Sequence, residues 1–139
     1  MFKRIISALA LVCTSVLMAG VPAQAQGCRP GTSQSCPIHL RFTRGSYGVM
    51  VDGVLTRTPD ARYYSIAARA GQHMIITFTG LGAMRGGIVY PGGGGDGPFD
   101  GQGTVITLPS NGTYIIYLGQ NTMAGEPWRG GFTLSVLVR

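Results

Sequence analysis

From Pro37 onward, short β-prone runs are separated by Gly, Pro, Asn and Asp at intervals of about ten residues, the rhythm of short strands in a sandwich or barrel. Helical periodicity is almost absent. The pattern predicts eight strands: Ile38–Phe42, Gly48–Leu55, Arg62–Ala68, His73–Thr79, Gly87–Tyr90, Gly103–Leu108, Thr113–Leu118 and Phe132–Val138. The expected fold is all-β, an antiparallel β-sandwich of about eight strands in two packed sheets.

Successive strand side chains point to opposite faces, so alternation separates core from surface. Tyr64, Ile66 and Ala68 form one inward row, with Tyr63, Ser65 and Arg69 outside. Met74, Ile76 and Phe78 form the next, followed by Tyr114, Ile116 and Leu118, then Phe132, Leu134, Val136 and Val138. The same alternation places Ile115, Tyr117 and Leu137 on outer faces, either as an apolar patch or beneath covering segments. Asp52-Gly53, Ala70-Gly71, Asn111-Gly112 and Gly130-Gly131 supply tight-turn positions. Pro91–Gly103, rich in glycine and broken by Pro91 and Pro98, reads as one long loop.

Upstream of this pattern the chain has another character. Lys3 and Arg4 precede an apolar run from Ile5 to about Val21, and Ala23-Gln24-Ala25 has the small residues of a cleavage site. The run is interrupted by Thr14 and Ser15 and is short for a membrane span, which needs about 20 apolar residues. Residues 1–25 are therefore expected to be a cleavable signal peptide, the chain's one membrane-directed segment, leaving residues 26–139 as a single periplasmic or secreted domain. Removing Lys3 and Arg4 from the eleven basic residues leaves nine arginines, no lysine and five carboxylates, a net charge of +4. Cys13 departs with the signal, so Cys28 and Cys36 remain as a pair in a compartment where disulfides persist, and are expected to be bonded.

Candidate chemistry is sparse. Gly92-x-Gly94-x-x-Gly97 has the letters of a nucleotide fingerprint but is followed by Pro98, Phe99 and Asp100, which open no helix to hold a phosphate. Asp96 and Asp100 offer two carboxylates where calcium takes six to eight oxygens. His39 and His73 both fall in strands, and no nucleophile motif or paired-carboxylate frame accompanies them. The dispersed arginines form no nucleic-acid module. These absences predict a non-enzymatic binding protein with no cofactor, no metal and no nucleic-acid partner.

Three segments carry a family likeness: Tyr64-Ser-Ile-Ala-Ala-Arg-Ala-Gly-Gln72-His-Met-Ile-Ile-Thr-Phe78, Leu108-Pro-Ser-Asn-Gly-Thr-Tyr114-Ile-Ile, and Gly131-Phe-Thr-Leu-Ser-Val. Over roughly residues 38–138 the chain resembles the bacterial pre-peptidase C-terminal domain, a jelly-roll-like sandwich. Within that group it most resembles the stand-alone periplasmic inhibitors of g-type lysozyme. The resemblance implies inhibition through a loop carrying a Ser-Gly-x-Tyr motif inserted into the enzyme's cleft. The matching place reads Asn111-Gly112-Thr113-Tyr114, with asparagine in the serine position and Ser110 beside it. The implied partner site is Ser110, Asn111, Gly112 and Tyr114, with Trp128 and Arg129 as neighbours. The alternative implied by the wider group is a carbohydrate or cell-envelope binding module using Tyr117, Trp128 and the glycine-rich loop.

Overall fold

The computed structural model describes residues 27–80, 82–123 and 125–139; the expected signal peptide, residues 1–25, lies outside them. The described residues form nine strands and no helix: β1 (Ile38–His39), β2 (Gly48–Leu55), β3 (Ala61–Ala68), β4 (His73–Gly80), β5 (Met84–Val89), β6 (Gly95–Phe99), β7 (Gln102–Thr107), β8 (Gly112–Gln120) and β9 (Gly130–Val138). They make two sheets, β1-β3-β8-β5-β6 and β2-β9-β4-β7. The all-β sandwich expected from the sequence is the fold observed, with every pairing antiparallel except the short parallel β1–β3 contact.

The inward rows meet between the sheets. Tyr64, Ile66, Met74, Ile76, Tyr114, Ile116, Leu118, Leu134 and Val136 are essentially closed to solvent and belong to one apolar cluster. Burying each such side chain contributes about 1.5–3 kcal/mol before conformational entropy is subtracted. On the outer faces Ile115, Tyr117 and Leu137 are half-buried. Tyr117 stacks obliquely on Tyr63, its partner across the ladder, at 6.3 Å. Ser65, expected outside, is buried because β1 runs over it: Leu40 N–H donates to Ser65 O at 2.8 Å, and His39 Nδ1 hydrogen-bonds the serine hydroxyl.

Four expectations are corrected, the first being Gly130-Gly131, which opens β9 opposite Leu55 and Val54 rather than forming a turn. Asp52-Gly53 is no turn; it lies inside β2, where Asp52 points outward and accepts a hydrogen bond from Thr133 Oγ1 at 2.7 Å. Gly53 points inward, where a Cβ would approach the Phe132 ring to 2.3 Å and the Tyr64 hydroxyl to 2.8 Å. The glycine makes room for two aromatics rather than reversing the chain. Pro91–Gly103 is not one loop, since it contains β6 and the first residues of β7. The turn spans Tyr90 to Gly94, closed by Tyr90 N–H to Gly94 O at 2.9 Å, and Pro98 is tolerated because β6 is an edge strand. Finally, Asn111-Gly112 does not close a hairpin, because β7 and β8 lie in different sheets.

At the N-terminus Cys28 and Cys36 form the expected disulfide, with Cα atoms 5.8 Å apart. Gly31 N–H donates to Cys36 O at 2.6 Å, and Tyr63 N–H donates to Gly31 O at 3.0 Å. The staple therefore docks the segment before β1 against β3. In the chain-entropy account, closing so short a loop contributes about 2.5 kcal/mol.

Candidate functional site

Most connections cross between sheets, so the loops gather at two ends of the sandwich. One end carries the turn at 43–47, the β3–β4 turn at 69–72, the β5–β6 turn at 90–94, the β7–β8 crossing at 108–111 and the C-terminal Arg139. The opposite end carries 56–60, 100–101 and 121–129.

At the first end, the crossing is fixed by Tyr114. Its side chain is 0% exposed, and its hydroxyl donates to Ser110 O at 2.6 Å while accepting from Ser110 N–H at 3.2 Å. This is a tyrosine corner, in which a strand residue reaches back to hold the backbone a few residues upstream. Tyr90 packs edge-on against the same ring at 5.9 Å. Asn111 is exposed, but its Oδ1 accepts from Ala70 N–H at 2.8 Å and ties the crossing to the β3–β4 turn. Gly112 takes a φ of +143° with Pro91 against it, a placement that excludes a Cβ. Of the residues expected to touch a partner here, Ser110 and Asn111 line the surface, whereas the Tyr114 side chain supports them from beneath.

The same end carries groups not singled out from the sequence. Tyr47 is 69% exposed and shares a cleft of about 410 Å³ with Phe42, Ser46, Arg69 and Gln72. Arg44, Arg69 and Arg139 are exposed around it. The arginines come from three separate segments, so their presence on one end is a tertiary fact with no signature in the linear chain.

Trp128 and Arg129 do not neighbour Ser110 and Asn111. They lie beyond the far end of β8, whose nine residues span roughly 30 Å. There Gln120, buried, donates from Nε2 to Arg57 O at 2.7 Å, Trp128 O at 3.0 Å and Thr58 Oγ1 at 3.3 Å. The indole is half-buried and packs over Gly82 and Gly130, with no room for a Cβ on either. It packs against the core at that end of the sandwich, while Arg129 remains exposed.

A third feature lies on the side of the sandwich, between the edge of β2 and the β3 segment covered by the stapled N-terminus. Its acid is Asp60. Burial works against the Asp60 carboxylate, but Thr56 N–H, the guanidinium of Arg62 and Arg57 N–H outweigh it and hold its pKa below the usual 3.8. The contribution of a depressed carboxylate is present above its unfolded pKa and is lost as pH falls through the folded one. Asp60→Asn is therefore expected to cost about 2 kcal/mol at pH 7. In urea unfolding the gap between variant and wild type should narrow as the pH falls through that lowered pKa.

No protein-family model and no curated protein sequence matches this chain. Among solved structures it is similar to the periplasmic lysozyme inhibitor of g-type lysozyme, PliG, from Aeromonas hydrophila, with TM-score 0.62 and 23% identity over 73% of this chain and 95% of that one. A mutant of the Escherichia coli PliG gives 0.60 and 17%, and the Salmonella Typhimurium PliG gives 0.55 and 16%, each over 73% of this chain and 96% of the other. At these identities the likeness establishes the fold. It spans nearly the whole length of each inhibitor structure.

Proposed function

We propose that this chain is an exported, non-enzymatic inhibitor of g-type lysozyme that acts in the periplasm. The observation that carries the reading is the fold likeness to three PliG structures across 95–96% of their length. The end bearing Ser110 and Asn111 is the proposed contact surface. It combines a corner held by Tyr114 with exposed Tyr47 and the guanidiniums of Arg44, Arg69 and Arg139. Such a surface suits a carboxylate-lined cleft: arginine pairs carboxylates through its planar fork, and a rigid loop loses little entropy on docking.

Alanine at Arg69 together with Asn111 is expected to raise the inhibition constant for g-type lysozyme at least tenfold, an effect of about 1.4 kcal/mol or more. Alanine at Arg129, on the opposite end, should leave it within about twofold. Equal losses from both ends would refute the assignment of the surface.

A further inference from the structure

The side cleft has a donor set that the inhibitor reading leaves unused. It encloses about 480 Å³ and is lined by Arg29, Thr32, Arg57, Arg62 and Tyr64, together with Asp52 and Asp60. Both carboxylates already have partners, Asp60 within the cleft itself. Asp52 accepts from Thr133 Oγ1, and Asp60 takes up Thr56 N–H, Ala61 N–H and Arg62 Nη1, the last at 2.6 Å. Among the described residues, neither Arg29 nor Arg57 has an ion-pair partner. The cleft therefore carries three guanidiniums against two carboxylates, a net charge of +1, with Arg29 and Arg57 unpaired among the described residues.

The second observation is Tyr64. Its side chain is 2% exposed, yet its hydroxyl makes no hydrogen bond with the described residues and lines the cleft beside Gly53. Burial raises its pKa above 10 despite the opposing charge of Arg62, so the phenol is a neutral donor at physiological pH. The ring is buried while the hydroxyl opens onto the cleft, where it is free to donate to a group bound there.

We propose that this cleft binds an oxyanion, a carboxylate or phosphate group on a small molecule, with Arg29 and Arg57 at the mouth and the Tyr64 hydroxyl at the floor. Arginine forks present paired donors to planar carboxylates and to phosphates, and the phenol adds a third direction that selects oxyanions over chloride. The volume lies in the range of small-ligand pockets, about 300–1,000 Å³. One wall is the stapled segment, since Arg29, Pro30 and Thr32 sit within or beside the Cys28–Cys36 loop. The disulfide would thus shape a binding site as well as restrain the terminus. The site lies on the flank of the sandwich and does not depend on lysozyme inhibition.

The test is an NMR titration of the oxidised protein with citrate, inorganic phosphate and sodium chloride at matched ionic strength, following the amides of Gly53, Arg57 and Tyr64. Saturable shifts with citrate or phosphate, absent with chloride, are expected, and the tighter of the two anions identifies the group. Tyr64→Phe keeps the ring packing and should weaken binding about tenfold, as should Arg57→Gln at an exposed position. Two results would overturn the proposal: no saturable shift with either anion, or unchanged affinity in both variants.

Discussion

Tyr114→Phe is expected to lower stability by about 2 kcal/mol and to weaken inhibition of g-type lysozyme roughly tenfold under conditions where the variant remains folded. The ring stays, so its packing in the core and its edge contact with Tyr90 survive. What disappears is the hydroxyl that joins Ser110 N–H and Ser110 O, leaving two half-buried backbone groups without their partner. The crossing at 108–111 then rests on the Asn111–Ala70 bond and on Gly71 N–H to Leu108 O at 2.9 Å. A loop ordered only on binding gives up free energy that a fixed loop does not. Urea unfolding and inhibition assays on the same preparation separate the two losses. A stability loss with unchanged inhibition would leave the corner structural and remove the 108–111 loop from the contact surface.

Gly53→Ala should be more damaging, at about 3 kcal/mol, because the new methyl group has nowhere to go. It would meet the Phe132 ring at 2.3 and 2.8 Å and the Tyr64 hydroxyl at 2.8 Å, and both rings are held in the core cluster. Overpacking of this kind forces side chains off their rotamers or moves strands apart. Were Asp52-Gly53 a reverse turn, the same change would cost only about 1 kcal/mol through backbone strain. The unfolding midpoint of this variant thus tests the register of β2 directly. Displacement of Phe132 should also reach the side cleft, since Tyr64 shares the contact.

The core was legible in the chain because alternation is a local signal with a single geometric meaning. Every inward residue named from β3, β4, β8 and β9 is buried. The disulfide was equally legible, since the expected loss of Cys13 with a signal peptide leaves Cys28 and Cys36 with only each other. Glycine was the main source of error, because it serves chain reversal and close packing alike. At Gly53 the cause is two aromatics contributed by other strands, and in Gly95–Phe99 it is an edge strand passing near Gly87; neither neighbour is visible from the local sequence.

The proposed contact surface was half legible. The match to a Gly-x-Tyr loop motif singled out Gly112 and Tyr114, but which atoms of Tyr114 stay free depends on its burial. The grouping of Trp128 and Arg129 with that corner failed because β8 carries the chain to the other end of the sandwich before they occur. Tyr47 follows a turn closed by Ser46 N–H to Thr43 O at 2.8 Å, and nothing in Gly45-Ser46-Tyr47 distinguishes an exposed tyrosine from a buried one.

The most direct measurement of the central claim is inhibition of a panel of c-, i- and g-type lysozymes by the oxidised wild-type protein. The account predicts saturable inhibition of the g-type enzymes at micromolar protein or below, with the c- and i-type enzymes unaffected. Absence of inhibition of every g-type enzyme at that concentration would contradict it.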